Sequence, residues 1–77
     1  MEYDSIRCFH QACQNIIDNK DSKAVNYAVI YARAGLEIDN EIDANYQALY
    51  IISNIAHWRG AIANETRSIL KNIINKY

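Results

Sequence analysis

Only two residues in this chain of 77 readily interrupt a helix, Gly35 and Gly60, and there is no proline. Proline and glycine are the strongest local breakers of regular structure. A chain without the one and with two isolated copies of the other is therefore left with long helical stretches that break near those two points. Apolar residues recur at spacings of three and four on both sides of each glycine, the signature of amphipathic helices. The pattern predicts an all-α chain: a compact bundle of about four short helices, near residues 4–19, 23–34, 41–59 and 61–75, in a single domain spanning 1–77.

In the first helix Ile6, Phe9, Cys13, Ile16 and Ile17 make one apolar face. Asn19-Lys20-Asp21-Ser22 reads as a polar turn, with Asp21 or Ser22 placed to cap the helix that follows. The second helix carries Ala24, Ala28 and Ala32 at intervals of four, small enough to let a neighbouring helix come close. Tyr27, Ile30, Tyr31 and Ala34 fill most of its remaining circumference, which predicts a largely buried helix. Gly35 is placed to end it in the left-handed conformation.

Asp39 or Asn40 caps the third helix, and Glu41 and Asp43 suit the positive end of its dipole. Ile42, Tyr46, Leu49, Ile52, Ser53 and Ala56 share one face, while Ile51, Ile55 and Trp58 fall nearly opposite. Two apolar faces mean a central helix, or one that meets the core on one side and a partner on the other. The fourth helix has a one-sided stripe of Ile62, Thr66, Ile69, Leu70, Ile73 and Tyr77. Its cations Arg67, Lys71 and Lys76 lie toward the C-terminus, where the dipole favours them.

Hydrophobic residues make up 51% of the chain, yet a domain this small buries only about 60% of the surface its unfolded chain exposes. The surplus points to a partner, commonly a second copy. Eight Lys and Arg against nine Asp and Glu give a net charge of -1, unlike a protein that lives on phosphate contacts. The start, Met1-Glu2-Tyr3-Asp4, is acidic and lacks the apolar run of a secretory signal. The longest apolar run, 27–32, is six residues, far short of a membrane span. Cys8 and Cys13 stand too far apart along one helix to bridge, and reduced thiols suit the cytoplasm. A cytoplasmic protein without membrane association is expected.

Cys8, His10 and Cys13 are a metal-like cluster only in sequence. On a helix Cys8 and His10 point to nearly opposite sides, whereas zinc wants four converging ligands. A Cys-His nucleophile pair would also need an orienting third group and a depressed thiol pKa. Glu37, Asp39, Glu41 and Asp43 alternate as calcium ligands could, but the glycine and glutamate that an EF-hand loop requires are missing. Capping and dipole complementarity explain three of these four without an ion. Phosphate loops, G-x-S-x-G and H-E-x-x-H are all absent. The reading is a non-enzymatic chain with no catalytic residues, no metal and no cofactor.

The segment Ala56-His57-Trp58-Arg59-Gly60 holds the only tryptophan. Trp58 could fill a small core while Arg59 caps the third helix. Trp, Tyr and Arg also dominate binding hot spots, so Tyr50, Ile51, Ile55, Trp58 and Arg59 form a candidate partner-binding surface. A second candidate is a nucleic-acid or nucleotide patch of Arg59, Arg67 and Lys71 with Tyr50 or Trp58. Residues 57–77 hold four Lys and Arg against one Glu, a local basic excess.

Asn26-Tyr27-Ala28, Tyr31-Ala32-Arg33-Ala34-Gly35-Leu36, Ala48-Leu49-Tyr50, Asn54 and Trp58-Arg59-Gly60 together resemble a group of small uncharacterised helical proteins of tailed bacteriophages and prophages, over about residues 25–72. The resemblance brings no catalytic residues. It implies a viral accessory protein in a bacterial cytoplasm that binds and blocks a host factor, sometimes a defence system. The expectation is a self-associating interaction protein with a host or viral protein as partner. The alternative is a helical oligomer that binds or sequesters nucleic acid or nucleotide.

Overall fold

The computed structural model of the chain describes residues 2–75, with side chains for residues 5–75. The expected positions of Lys76 and Tyr77 lie outside the described residues. The elements run α1 (Glu2–Asp18), a single 3-10 turn (Asn26–Ala28) leading into α2 (Val29–Gly35), α3 (Glu41–Ser53) and α4 (Ala61–Ile74). Among the described residues there is no strand. The all-α bundle of four short helices is what the periodicity predicts.

The first helix is the central one, packed against α2 on one side and α4 on the other, while α3 closes the bundle against α4 and α2. Ile6, Phe9, Ala12, Cys13 and Ile16 recur at spacings of three, four and one, so one face of α1 is buried along its length. A polar link fixes its register on α4. Asn15 Nδ2 donates to Thr66 Oγ1 at 3.1 Å in the interior, and Thr66 in turn donates to the Ile62 carbonyl at 2.7 Å.

The second helix begins later than its sequence pattern suggests. Residues 23–25 form turns held by Ser22, whose hydroxyl accepts from Ala24 N and whose carbonyl accepts from Val25 N and Asn26 N. Val25 is fully buried with φ -123°, outside the helical region, so the α-helix cannot start before it. Ala28 and Ala32 are buried as their spacing requires. The large residues are not. Tyr27, Ile30 and Tyr31 are exposed, because the small side takes the close approach to α1 and turns the large side outward.

Gly35 also has a different role from the one expected. It sits in the last turn of α2 without a positive φ. A β-carbon there would stand 2.6 Å from Cys13 Sγ and 3.0 Å from Phe9 Cζ. Close approach of two helices, not a left-handed cap, is what demands glycine. Gly60 is the reverse case. It has open space around it, but its φ of 114° and ψ of 176° lie in a region essentially restricted to glycine.

The third helix is capped by Asn40, whose Oδ1 accepts from Asp43 N at 2.9 Å while its Nδ2 donates to Asp43 Oδ2. It ends at Ser53 rather than near Arg59. Ser53 Oγ donates to the Leu49 carbonyl and Asn54 Nδ2 to the Tyr50 carbonyl, each reaching back four residues. Such side chains compete with the helical ladder. Residues 54–60 then turn back so that Ile55 and Trp58 enter the core. Asn45 Nδ2 donates to the carbonyls of Ile73 and Ile74, satisfying the end of α4 from its neighbour.

Candidate functional site

The most conspicuous surface is the outer face of α2 and α3. Tyr27, Ile30 and Tyr31 come from the second helix and its leading turn; Ile42, Tyr46, Leu49 and Tyr50 come from the third. Spacings of four, three and one put the α3 residues on one stripe. Exposure is high, 77% at Tyr27, 71% at Ile30 and 62% at both Ile42 and Tyr46. The two helices are joined across the face. The rings of Tyr31 and Tyr50 stack at 5.9 Å and 16°, and Gln47 Nε2 donates to the Tyr31 carbonyl at 2.8 Å. Stacked aromatics and a backbone hydrogen bond hold the face as one surface.

This overturns the assignment of faces on the third helix. Ile42, Tyr46 and Leu49 point outward, whereas Ala44, Ala48 and Ile51 pack inward. Small residues at 44 and 48 let α3 sit tightly on its neighbours, and that decides which stripe is buried. The early end of the helix then delivers Ile55 and Trp58 to the same side. Of the five residues chosen as a partner surface, Ile51 and Ile55 are fully buried and Trp58 is 6% exposed, so these three are core. Tyr50 and Arg59 are exposed, but only Tyr50 belongs to the α2–α3 face.

The alternative basic patch is assembled only in part: Arg67 and Lys71 line one depression, and Arg59 is not in it. Arg67 Nη1 donates to the carbonyls of Ile55 at 3.0 Å and Trp58 at 2.6 Å, and its Nη2 donates to Asn64 Oδ1. Its guanidinium is committed to closing the 54–60 turn, a use that sequence gives no sign of. Lys71 and Arg59 are exposed. Lys71 shares a shallow, amide-rich depression on α4 with Arg67, Asn64, Asn72 and Asn75.

An open groove of about 530 Å³ lies at the C-terminal end of the apolar face, lined by Lys23, Tyr27, Ser53, Asn54 and His57 among others, with no carboxylate in its wall. Glu37, Asp39 and Asp43 are exposed at the opposite end, around the start of α3. The face thus runs from an acidic end to a groove carrying Lys23.

Cys8 is exposed and Cys13 buried, and burial pushes the Cys13 thiol up to about 12. His10 Nε2 lies 2.7 Å from the Ile38 carbonyl, tying α1 to the connector before α3. Among the described residues no three His, Cys, Asp or Glu side chains are grouped to hold a metal ion. No described helix is long and apolar enough to cross a membrane.

Compared with known protein families, with curated proteins and with solved structures, the chain matches none.

Proposed function

We propose that this chain is a non-enzymatic interaction protein that docks on another protein through the outer face of α2 and α3. The observation that carries the reading is the run of seven large apolar side chains on two adjoining helices, held together by the Tyr31–Tyr50 stack. Tyrosine suits such a face because it offers a large contact area with a polar tip that tolerates water when unbound. The resemblance to proteins of tailed phages implies a bacterial cytoplasmic protein as the target, blocked or recruited by this contact. Arg67 Nη1 is engaged with two carbonyls, which leaves less of its guanidinium for phosphate and favours this reading over nucleic acid or nucleotide.

Affinity capture from a bacterial lysate tests it. Tyr46→Glu and Ile42→Ser alter exposed side chains and should abolish capture of the target without unfolding the chain. Retention of the same captured proteins by both variants would overturn the assignment of this face.

A further inference from the structure

Resting on that reading, we infer that the α2–α3 face of the free protein is covered by a second copy of the same chain, paired head to tail about a two-fold axis near Leu49. The first argument is area. The exposed parts of the seven large side chains come to roughly 700 Å². The largest apolar patch on an ordinary monomer is about 300–600 Å², and each partner in a stable pair contributes about 800 Å². Part of that area is tyrosine hydroxyl, so the face reaches the upper end of what a monomer exposes and approaches what a dimer needs.

The second argument is charge. A two-fold pairing is self-complementary, so each surface must match itself after rotation. One end of this face carries Glu37, Asp39 and Asp43 with Arg33 of the last turn of α2 near them, a net acidic end; the other carries the groove with Lys23 and His57 and no carboxylate in its wall. Parallel alignment would set acidic end on acidic end. Antiparallel alignment brings Ile42 and Asp43 of one copy over the Lys23 groove of the other, and the reverse contact forms at the same time.

The third argument is spacing. Asp43 lies six residues before Leu49, and Asn54 on the groove wall lies five after it. At about 1.5 Å per residue those are roughly 9 and 8 Å along the helix. An axis that pairs these two positions therefore falls close to Leu49. Leu49 then meets its own copy, with Tyr46 and Tyr50 flanking the axis on either side.

Sedimentation equilibrium on the full chain tests the pairing. The wild type should shift from monomer to dimer with concentration, and Tyr46→Glu should be monomeric with a wild-type helical circular dichroism spectrum, its melting temperature losing only the concentration-dependent part. Lys23→Glu and Asp43→Lys should each weaken the dimer by about tenfold, since an exposed pair is worth a fraction of a kcal/mol and occurs twice. The double variant should recover wild-type dimerisation, because the swapped charges still match. Independently, Leu49→Cys in a Cys8→Ser background should form an intermolecular disulfide under mild oxidation.

A chain that stays monomeric at millimolar concentration overturns the inference. So does a dimer that ignores the charge swap and gives no Leu49→Cys cross-link. Either result leaves the protein-docking reading to its own lysate test, where the Tyr46→Glu variant reports on target binding whatever the oligomeric state.

Discussion

The sulfur of Cys13 occupies the place that a side chain on Gly35 would need: a β-carbon there would stand 2.6 Å away. Two buried elements, the middle of α1 and the last turn of α2, meet across this contact. An alanine at 35 gains about 1 kcal/mol of helix propensity but must displace Cys13 and Phe9, both fully buried. Overfilling a tight core costs about 1–3 kcal/mol, so the clash wins. Gly35→Ala should lower stability in urea titration by up to about 2 kcal/mol net. Adding Cys13→Ala to it should cost less than the two single changes summed.

The same burial governs the chemistry of the two thiols. Cys13, pushed up to about 12 by burial, stays protonated at neutral pH, while Cys8 is exposed. One thiol per chain should react with a disulfide reagent in native buffer and the second only in denaturant. Two fast thiols would show that the α1–α2 contact opens readily.

Above neutral pH that thiol also couples to stability. The unfolded chain releases the proton near 9.0 whereas the folded chain holds it to about 12, so protons favour the folded state in this window. Below pH 9 the contribution is complete. Between pH 9 and 12 it should fall by up to about 1.4 kcal/mol per pH unit. Cys13→Ala should lose stability less steeply than wild type over the same range, measured by denaturant titration at stepped pH.

Arg67 closes the turn between α3 and α4 by donating to the carbonyls of Ile55 and Trp58. Hydrogen bonds from a charged donor contribute about 1.5–3 kcal/mol. Arg67→Met keeps much of the stem and removes those donors. It should destabilise the fold by about 2 kcal/mol and shift Trp58 emission to longer wavelength as the turn loosens. An unshifted spectrum would mean that Ile55 and Trp58 hold the turn by burial alone.

Asn15 and Thr66 make the polar contact between α1 and α4, buried at both ends. Thr66→Val preserves shape but leaves Asn15 Nδ2 without its acceptor inside the protein. The cost should be about 1–3 kcal/mol by calorimetry or urea titration, more than the surface change Ser68→Ala.

Sequence periodicity by itself determined the four helices and the buried faces of α1 and α4. Residues 6, 9, 13 and 16 and residues 66, 70 and 73 repeat at a helical period and are buried, whereas Ile62 at the head of the expected α4 stripe is exposed and Ile69 is half-buried. The Asn40 cap and the small-residue stripe through Ala28 and Ala32 were equally legible, because both depend on local geometry. Tertiary structure alone decided which stripe of α3 faces inward. That choice turns on volume: Ala44 and Ala48 fit against neighbouring helices where Tyr46 and Leu49 would not, and a period of 3.6 is blind to volume. It also decided that α3 stops at Ser53 and that Trp58 belongs to the core. The turn that carries Trp58 inward receives the Arg67 donors, which reach it from another helix. The face left outside by these choices became the candidate for contact, and Trp58, the residue most suggestive of contact, holds the interior.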